Sequence, residues 1–394
     1  MGRKCFAILR YIAWLGLSTA LVLLAVEGTL RLAFGLPKGL FYFRPVDNQS
    51  LYLPNATLQM VMGPVPYTVK TNSLGFRGPE ITLEKPAGLV RIAAIGDSVT
   101  DGFYVDNDDT YPAQMERVLR ERAVAVEVVN AARGNSSIDL EYAILRRFVL
   151  RLKPDLVVLA FVANDIDDLR GVGRENLINR DSFAFGPEQA AAASETLLLA
   201  RTALGELVLD ASLRMRFENY RRFQRGMSVT ERAGRYTIPG QEDQVECLRV
   251  FVEQHAARND SVLLYKAFTP QQQETIANYA YALGHMHQTL AAQGTRLLFV
   301  YTPGYNEIHD PAAPRILCAA LRKSCEEQGI PFVDTTPAFQ TASKKEILDL
   351  APADFHYNPA GNRVLAEAVG MYIAENGLAR PGAESTLQTE GEVR

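Results

Sequence analysis

From residue 90 onward, the chain alternates short apolar runs with segments in which apolar residues recur at helical spacing. The apolar runs predict buried strands at residues 90–96, 124–132, 156–163, 296–302 and 331–334. Segments with helical spacing lie at residues 111–123, 138–152, 274–293, 314–328 and 358–375. Because strands separated by helices pair in parallel, this pattern predicts one doubly wound, five-stranded α/β sheet with right-handed crossovers.

The N-terminus has a different pattern, an uncharged apolar run at residues 11–26 that basic residues precede. Sixteen helical residues span about 24 Å, short of a hydrocarbon core of about 30 Å, so we expect a transmembrane helix over residues 6–34 in which Glu27 and Arg31 pair. The basic flank predicts a cytoplasmic N-terminus and an exported body. A cleaved signal peptide is the alternative, which is disfavoured because the small-residue site at 33–35 is poor and distant from the run.

Composition divides the chain further. The predicted segments are an N-terminal anchor at residues 1–35 and an irregular lead-in, rich in Pro, Gly and Tyr, at residues 36–88. The main α/β domain follows at residues 89–380, with a mainly helical insertion at 166–273, and a polar tail ends the chain at residues 381–394. The lead-in contains the turn-rich stretch TNSLGFRG, residues 71–78, which could pack near a later site.

The insertion contains a helical pattern at residues 195–225 that ends in arginines around aromatic side chains. One interpretation is a basic face for anionic lipid or glycan. A solvated helix that covers the core is the favoured interpretation, because such charge runs are common.

Overall composition narrows the chemistry only slightly. The formal net charge of −4 gives no indication of a nucleic-acid partner. Cys318 and Cys325 would lie about 10 Å apart on one predicted helix, too far for a disulfide. Neither the cysteines nor His285 and His287 have metal-ligand spacing, so we expect no metal site.

Polar residues and a glycine follow the ends of the predicted strands, which is where ligands bind in parallel sheets of this kind. Asp97 and Ser98 follow the first strand, Gly134 lies in the loop after the second, and Asn164 follows the third. A fourth group, Asp354-Phe-His356, precedes the last predicted helix. The topology therefore brings a serine, a histidine and candidate hydrogen-bond donors to one edge of the sheet.

These residue types suit acyl transfer. Ser98 could be the nucleophile if His356 takes its proton and Asp354 orients the imidazole. The backbone N–H groups of Ser98 and Gly134 and the side-chain amide of Asn164 could stabilise an oxyanion. If Ser98 were only a turn residue, the other groups would be unexplained coincidences.

The order Gly-Asp-Ser98, Gly134, Asn164-Asp and Asp354-x-His356 resembles the SGNH (GDSL-type) hydrolase superfamily, over residues 90–377. The resemblance implies a flavodoxin-like fold, with Ser98 as nucleophile, His356 as base, and Gly134 and Asn164 as oxyanion partners.

Two positions depart from that family's usual pattern. The third block is often Gly-x-Asn-Asp, and this chain has Val162 at the glycine position. The last block is often Asp-x-x-His, and Ala353 stands at the expected aspartate position, which makes Asp354 the best candidate to orient His356.

These observations predict an exported, membrane-anchored serine esterase that acts on O-acyl groups through an acyl-enzyme on Ser98, with no metal or organic cofactor. The expected substrate is an acylated glycan or a lipid ester. Two alternatives stay open. One is an O-acyltransferase of envelope polysaccharide that works with a membrane-bound acyl donor protein, and the other is a non-catalytic glycan-binding component, which the departures at Val162 and Ala353 would favour.

Overall fold

The computed structural model describes residues 2–34, 51–60, 65, 67–169, 172–179, 202, 204, 207, 267–350 and 355–380. The chain divides into two compact units, one formed by residues 1–44 with 184–225 and the other by residues 45–183 with 226–394. The predicted helix at 195–225, apart from three of its residues, and the tail from 381 lie outside the described residues.

The first unit contains one long apolar helix, α1 (Gly2–Phe34). Its segment Phe6–Ala33 is long and apolar enough to cross a membrane, although a signal sequence near an N-terminus satisfies the same criterion. Near its end, Arg31 Nε lies 2.7 Å from Glu27 Oε1, which confirms the predicted pairing of these side chains.

The second unit is built on a five-stranded parallel sheet, which confirms the predicted architecture. After an antiparallel hairpin in the lead-in, formed by β1 (Thr57–Met60) and β2 (Tyr67–Lys70), the sheet strands follow in chain order. They are β3 (Val90–Gly96), β4 (Val126–Asn130), β5 (Leu156–Phe161), β6 (Arg296–Tyr301) and β7 (Phe332–Asp334). The spatial order β4-β3-β5-β6-β7 is the flavodoxin-like order, in which the chain reverses direction across the sheet beside its first strand.

Helices cover both faces of this sheet. The helices of the described residues are α2 (Ser98–Asp101), α3 (Tyr111–Glu121), α4 (Ile138–Ile144), α5 (Asn164–Asp168), α6 (Arg174–Asn179), α7 (Pro270–Ala291), α8 (Tyr305–His309), α9 (Ile316–Glu327), α10 (Thr336–Ala342) and α11 (Pro359–Glu375). The predicted helix 138–152 is α4 followed by a π-helical turn and a 3₁₀ turn, so its geometry changes along its length.

The core on one face joins α3 and α11 to the sheet. Met115 and Val369 lie in one buried apolar cluster with Ile92 of β3. A Cβ atom at Gly370 would lie 2.8 Å from Val118 Cγ1, so the glycine permits α11 to approach α3 closely. Because α11 begins at Pro359, three residues after His356, this packing fixes the position of the segment that carries His356.

On α9, Cys318 and Cys325 are free, buried thiols. Burial raises the pKa of each to about 12, which keeps both protonated and unreactive at neutral pH.

The lead-in is attached to the edge of the sheet through the turn-rich stretch 71–78. Arg77 pairs as an isolated antiparallel bridge with Asn130, the last residue of β4. Its buried guanidinium donates from Nη1 to the carbonyl oxygens of Asp101 and Gly102, at 2.6 and 2.8 Å, and from Nη2 to that of Val105 at 2.6 Å. The stretch therefore packs against the turn that follows Ser98, as the sequence suggested.

Candidate active site

A sharp strand-to-helix turn presents Ser98. Every residue of β3 is buried, and the strand ends at Gly96, where an added Cβ would lie 2.3 Å from Thr100 Oγ1 and 2.7 Å from the carbonyl oxygen of Ala160. Ser98 starts α2 immediately afterwards, and Gly102, with φ of +90°, ends this one-turn helix in the left-handed region. The turn places the hydroxyl at the carboxyl end of β3.

His356 meets Ser98 at this edge of the sheet. Its Nε2 atom lies 2.7 Å from Ser98 Oγ, although 258 positions separate the two residues. The segment is anchored by a hydrogen bond from the backbone N–H of Leu350 to the carbonyl oxygen of His356. With the proton on Nδ1, Nε2 is the acceptor, and the hydroxyl is poised to lose its proton to the imidazole.

Asp354, the predicted orienting carboxylate, lies outside the described residues, and so does Ala353. Its role stays a prediction.

Asp97 links three loops of the site. Its Oδ2 accepts a hydrogen bond of 2.7 Å from Asn164 Nδ2 and lies 3.3 Å from Ser98 Oγ, while Oδ1 accepts from the backbone N–H of Ser136 at 3.2 Å. Burial raises the pKa of Asp97, and the hydrogen bonds from Asn164 and Ser136 oppose that shift. The carboxylate therefore ties the turn that carries Ser98 to the loops after β4 and β5.

The amide of Asn164 is held between two carboxylates. Besides Asp97, Nδ2 donates to Asp168 Oδ2 at 3.0 Å. Asn164 and Asp168 are both exposed, so the second hydrogen is the one that a substrate oxyanion can take over. Burial of its carboxyl group raises the pKa of Asp168.

Gly134 lies at the same edge, but its N–H is engaged. It donates to Asp101 Oδ2 at 3.0 Å. The hydroxyl of Tyr52 lies 2.8 Å from the same oxygen and 2.8 Å from the carbonyl oxygen of Ala132, so a lead-in residue joins α2 to the loop after β4. In this arrangement the backbone N–H of Gly134 serves the buried carboxylate of Asp101 instead of facing an open site.

The absence of a side chain at Gly134 has a packing reason. A Cβ atom there would lie 2.3 Å from Cζ of Phe103. The Phe103 ring in turn stacks on the imidazole of His356, with ring centroids 5.6 Å apart and an interplanar angle of 25°. Tyr104 meets the same imidazole edge-on, at 5.2 Å and 81°.

Sequence reasoning assigned no role to Asp101, Phe103, Tyr104 or Asp168. Asp101 and Asp168 carried a usable signal, because a residue three or four positions after Ser98 or Asn164 on a helix lies on the same face. The ring contacts of Phe103 and Tyr104 join residues distant in the sequence and had no such signal.

Buried acidic groups lie close to the turn that carries Ser98, where Ser136 contacts both Asp97 and Glu141. Glu141 and Asp165 are fully buried, and burial raises the pKa of both well above the usual range, with a further rise from Asp97 and Asp139 for Glu141 and from Glu141 and Asp97 for Asp165. Glu141 Oε2, Asp165 Oδ1 and the Tyr279 hydroxyl are buried without a hydrogen-bond partner. The site therefore rests on a layer in which a protonated carboxyl is favoured over a carboxylate.

A cavity of about 930 Å³ lies elsewhere, along α3 and the outer edge of β4, with Lys70, Asp106 and Arg117 in its walls. Among the described residues, its lining includes neither Ser98 nor His356. At this edge, Glu116 Oε2 accepts from the backbone N–H of Val128, so a side chain occupies the exposed hydrogen-bonding position of the strand.

Comparison with known proteins gave one family match. The model of the GDSL-like Lipase/Acylhydrolase family matches residues 94–364, more than half of the chain. No curated protein sequence matches the chain.

Solved structures of similar architecture include LAE5, an α/β hydrolase from the metagenome of Lake Arreo, with 15% identity, 74% of this chain and 96% of that chain covered, and a TM-score of 0.38. A catalytic mutant of the acetylxylan esterase Axe2 from Geobacillus stearothermophilus has 17% identity, with 73% and 94% covered and a TM-score of 0.37. TesA has 14% identity, with 72% and 98% covered and a TM-score of 0.38.

Proposed function

The chain belongs to the GDSL-like Lipase/Acylhydrolase family, and from this premise we propose that it is an exported O-acyl esterase that acts on acylated glycan through an acyl-enzyme on Ser98. The observation that carries the proposal is the 2.7 Å contact between Ser98 Oγ and His356 Nε2. A serine is a weak nucleophile until an adjacent base accepts its proton, and this contact supplies the base.

The proposed reaction has two steps. In the first, His356 takes the hydroxyl proton while Ser98 Oγ attacks the acyl carbonyl, and the imidazolium then protonates the departing sugar oxygen. In the second, His356 deprotonates a water molecule that attacks the acyl-enzyme, and the carboxylic acid is released as the proton returns to Ser98.

The negative oxygen of each tetrahedral intermediate needs hydrogen-bond donors. The candidates are the backbone N–H of Ser98 and the hydrogen of Asn164 Nδ2 that now faces Asp168. Asp97 holds the same amide through its other hydrogen, so the donor stays in place when the second hydrogen changes partner. Gly134 would join this set only if its N–H left Asp101.

Two features support a glycan substrate outside the cytoplasm. Basic residues precede the apolar segment of α1, which favours a cytoplasmic N-terminus and a tethered body on the far side of the membrane. Next to His356, the rings of Phe355 and Tyr305 are 43% and 38% exposed and meet edge-on at 5.6 Å. Exposed aromatic faces beside a reactive centre suit the flat apolar side of a sugar ring.

The test is active-site labelling of the full-length protein in detergent with a fluorophosphonate probe, together with release of p-nitrophenol from p-nitrophenyl acetate. Ser98→Ala should abolish both signals without changing the thermal unfolding temperature. Ser324→Ala is the matched control, because it also removes a serine hydroxyl, one that lies on α9 and donates to the carbonyl oxygen of Ala320.

Equal turnover by wild type and Ser98→Ala would overturn the proposal. A folded wild type that neither labels nor turns over would instead favour a non-catalytic glycan-binding role. Label without net hydrolysis, with acyl transfer to an added oligosaccharide, would assign the protein as an acyltransferase.

A further inference from the structure

The ring of Phe103 stands beside the reacting groups. Its backbone N–H donates to the carbonyl oxygen of Ser98 at 3.0 Å, so the residue is tied directly to the nucleophile. The preceding Gly102, with φ of +90°, turns the chain back at this point. Phe103 therefore leaves the nucleophile turn on the side of the loop after β4.

The ring fills the space between that loop and the catalytic histidine. It lies so close to the backbone of Gly134 that even a methyl group there would meet it at 2.3 Å. Its other side stacks on His356, 5.6 Å away by ring centroids. Because His356 Nε2 lies 2.7 Å from Ser98 Oγ and the ring stacks on that imidazole, the ring occupies space near the atom that would carry the acyl group.

Neighbouring aromatic rings hold Phe103 in this position. Tyr67 of β2 is 6.5 Å away and buried, and Tyr104 is 6.0 Å away at an angle of 74°. Behind them, the guanidinium of Arg77 lies 5.6 Å from the centre of the Tyr67 ring, within the range of a cation–π contact.

Tyr104 itself has φ of +63°, a backbone conformation that costs energy for a residue with a side chain and persists only when its surroundings enforce it. Together, these neighbours hold the ring of Phe103 in one position.

We propose that Phe103 closes the acyl end of the site and restricts the acyl group to acetyl, so that the substrate class is the acetyl ester and not the long-chain lipid ester. This inference rests on the proposed esterase function and narrows it. A chain longer than acetyl would have to displace a ring that Gly134, His356, Tyr67 and Tyr104 hold in place. Overpacking of this kind is costly.

A purely orienting role of Phe103 predicts a different result. If the ring only fixed the plane of His356, its removal would lower the rate for every ester by the same factor, because each ester needs the same proton transfer. A wall against the acyl chain changes the ratio between long and short esters. The ratio therefore separates the two roles.

The experiment compares kcat/KM of the full-length protein for p-nitrophenyl acetate, butyrate and octanoate. The variants are Phe103→Ala and Phe103→Leu, the second of which keeps an apolar contact if the first does not fold. Tyr281→Ala is the control, since it removes a partly exposed ring that packs on His285 of α7 and has no part in the proposed site.

Wild type should lose at least about tenfold in kcat/KM from acetate to octanoate, and the Phe103 variants should narrow that gap at least about fivefold, while Tyr281→Ala leaves it unchanged. A wild type that prefers octanoate, or folded Phe103 variants with an unchanged ratio, would overturn this inference and leave the esterase proposal intact. A wild type inactive on all three esters would overturn both.

Discussion

Asn164 Nδ2 donates a hydrogen bond of 2.7 Å to Asp97 Oδ2 across the carboxyl ends of the neighbouring strands β3 and β5. Asp97 precedes Ser98, the proposed nucleophile, and Asn164 is the candidate donor to the oxyanion. The bond thus couples the position of the attacking oxygen to that of the group that would stabilise the product of the attack. Precise spacing between these groups matters because small displacements lower the rate of acyl transfer strongly.

Replacing Asp97 should therefore damage catalysis and stability together. Asp97→Ala leaves the Asn164 amide without one acceptor and the backbone N–H of Ser136 unpaired. We expect kcat to fall by about 10²-fold and the free energy of unfolding by about 1–3 kcal/mol. Steady-state kinetics with p-nitrophenyl acetate and urea titration measure the two effects. Asp310→Ala, at an exposed position, is the control, and an unchanged kcat for Asp97→Ala would show that the bond to Asn164 has no part in the reaction.

The side chain of Arg77 should contribute strongly to the stability of the folded protein, because it holds the lead-in against residues 101–105. Arg77→Met removes three hydrogen bonds to backbone carbonyls of residues 101–105 and the contact with Tyr67. We expect the free energy of unfolding to fall by at least about 3 kcal/mol, because these carbonyls stay buried without donors.

The matched control is Arg117→Met. Arg117 is exposed and makes one hydrogen bond to a backbone carbonyl, at 3.1 Å, so its loss should change stability by less than about 0.5 kcal/mol. If the two variants were equally stable in urea titration, the lead-in would not be a structural part of the site.

Asp354 is the candidate that only the sequence supports. If it orients His356, Asp354→Asn should lower kcat by about 10²–10⁴-fold but leave more activity than Ser98→Ala does. Asp349→Asn is the informative comparison, since its carboxylate lies near the same segment and 3.0 Å from His309 Nε2. A large loss for Asp349→Asn with little loss for Asp354→Asn would assign the orienting role to the other aspartate.

The strands and long helices could be predicted from the sequence because their signals are local. The predicted strand at 90–96 coincides with β3, since charged and turn-forming residues bound the apolar run on both sides. The helix predicted from residue 274 begins earlier, at Pro270, where Thr269 and Gln272 form a capping box. The π-helical turn after α4 was not predictable, because apolar spacing barely differs between a helix and a single wide turn.

The site was predictable to the extent that it depends on which loops meet. Ser98 and His356 were assigned from residue order and strand ends, and the structure brings them into contact. The state of the Gly134 N–H was not predictable, because it depends on Asp101, and the position of Asp101 depends on Tyr52 and Arg77 from the lead-in. Such contacts join residues 24 to 49 positions apart, and no periodicity or local spacing encodes them.

Stability should decrease as the pH rises, because of the buried acid Glu141. Burial raises its pKa in the folded protein well above the ordinary value of about 4.5. The folded state then binds a proton more tightly than the unfolded chain, so the contribution to stability is complete below the unfolded pKa and is lost as the pH rises toward the folded pKa. Within that window, the free energy of unfolding should fall by up to about 1.4 kcal/mol per pH unit.

Glu141→Gln isolates this effect, because glutamine has nearly the same shape, carries no charge, and keeps an oxygen that can accept from the Ser136 hydroxyl. Relative to wild type, the variant should gain stability in urea titrations as the pH rises above the ordinary value of about 4.5 for a glutamate carboxyl. The gain in the free energy of unfolding should exceed the effect of removing the Glu141 charge alone. Glu141 also raises the pKa of Asp165, and this second shift becomes smaller in the variant. Glu326→Gln, at an exposed position of α9, should show no such trend. A stability difference between Glu141→Gln and wild type that stayed constant with pH would mean that Glu141 is ionised in the folded protein.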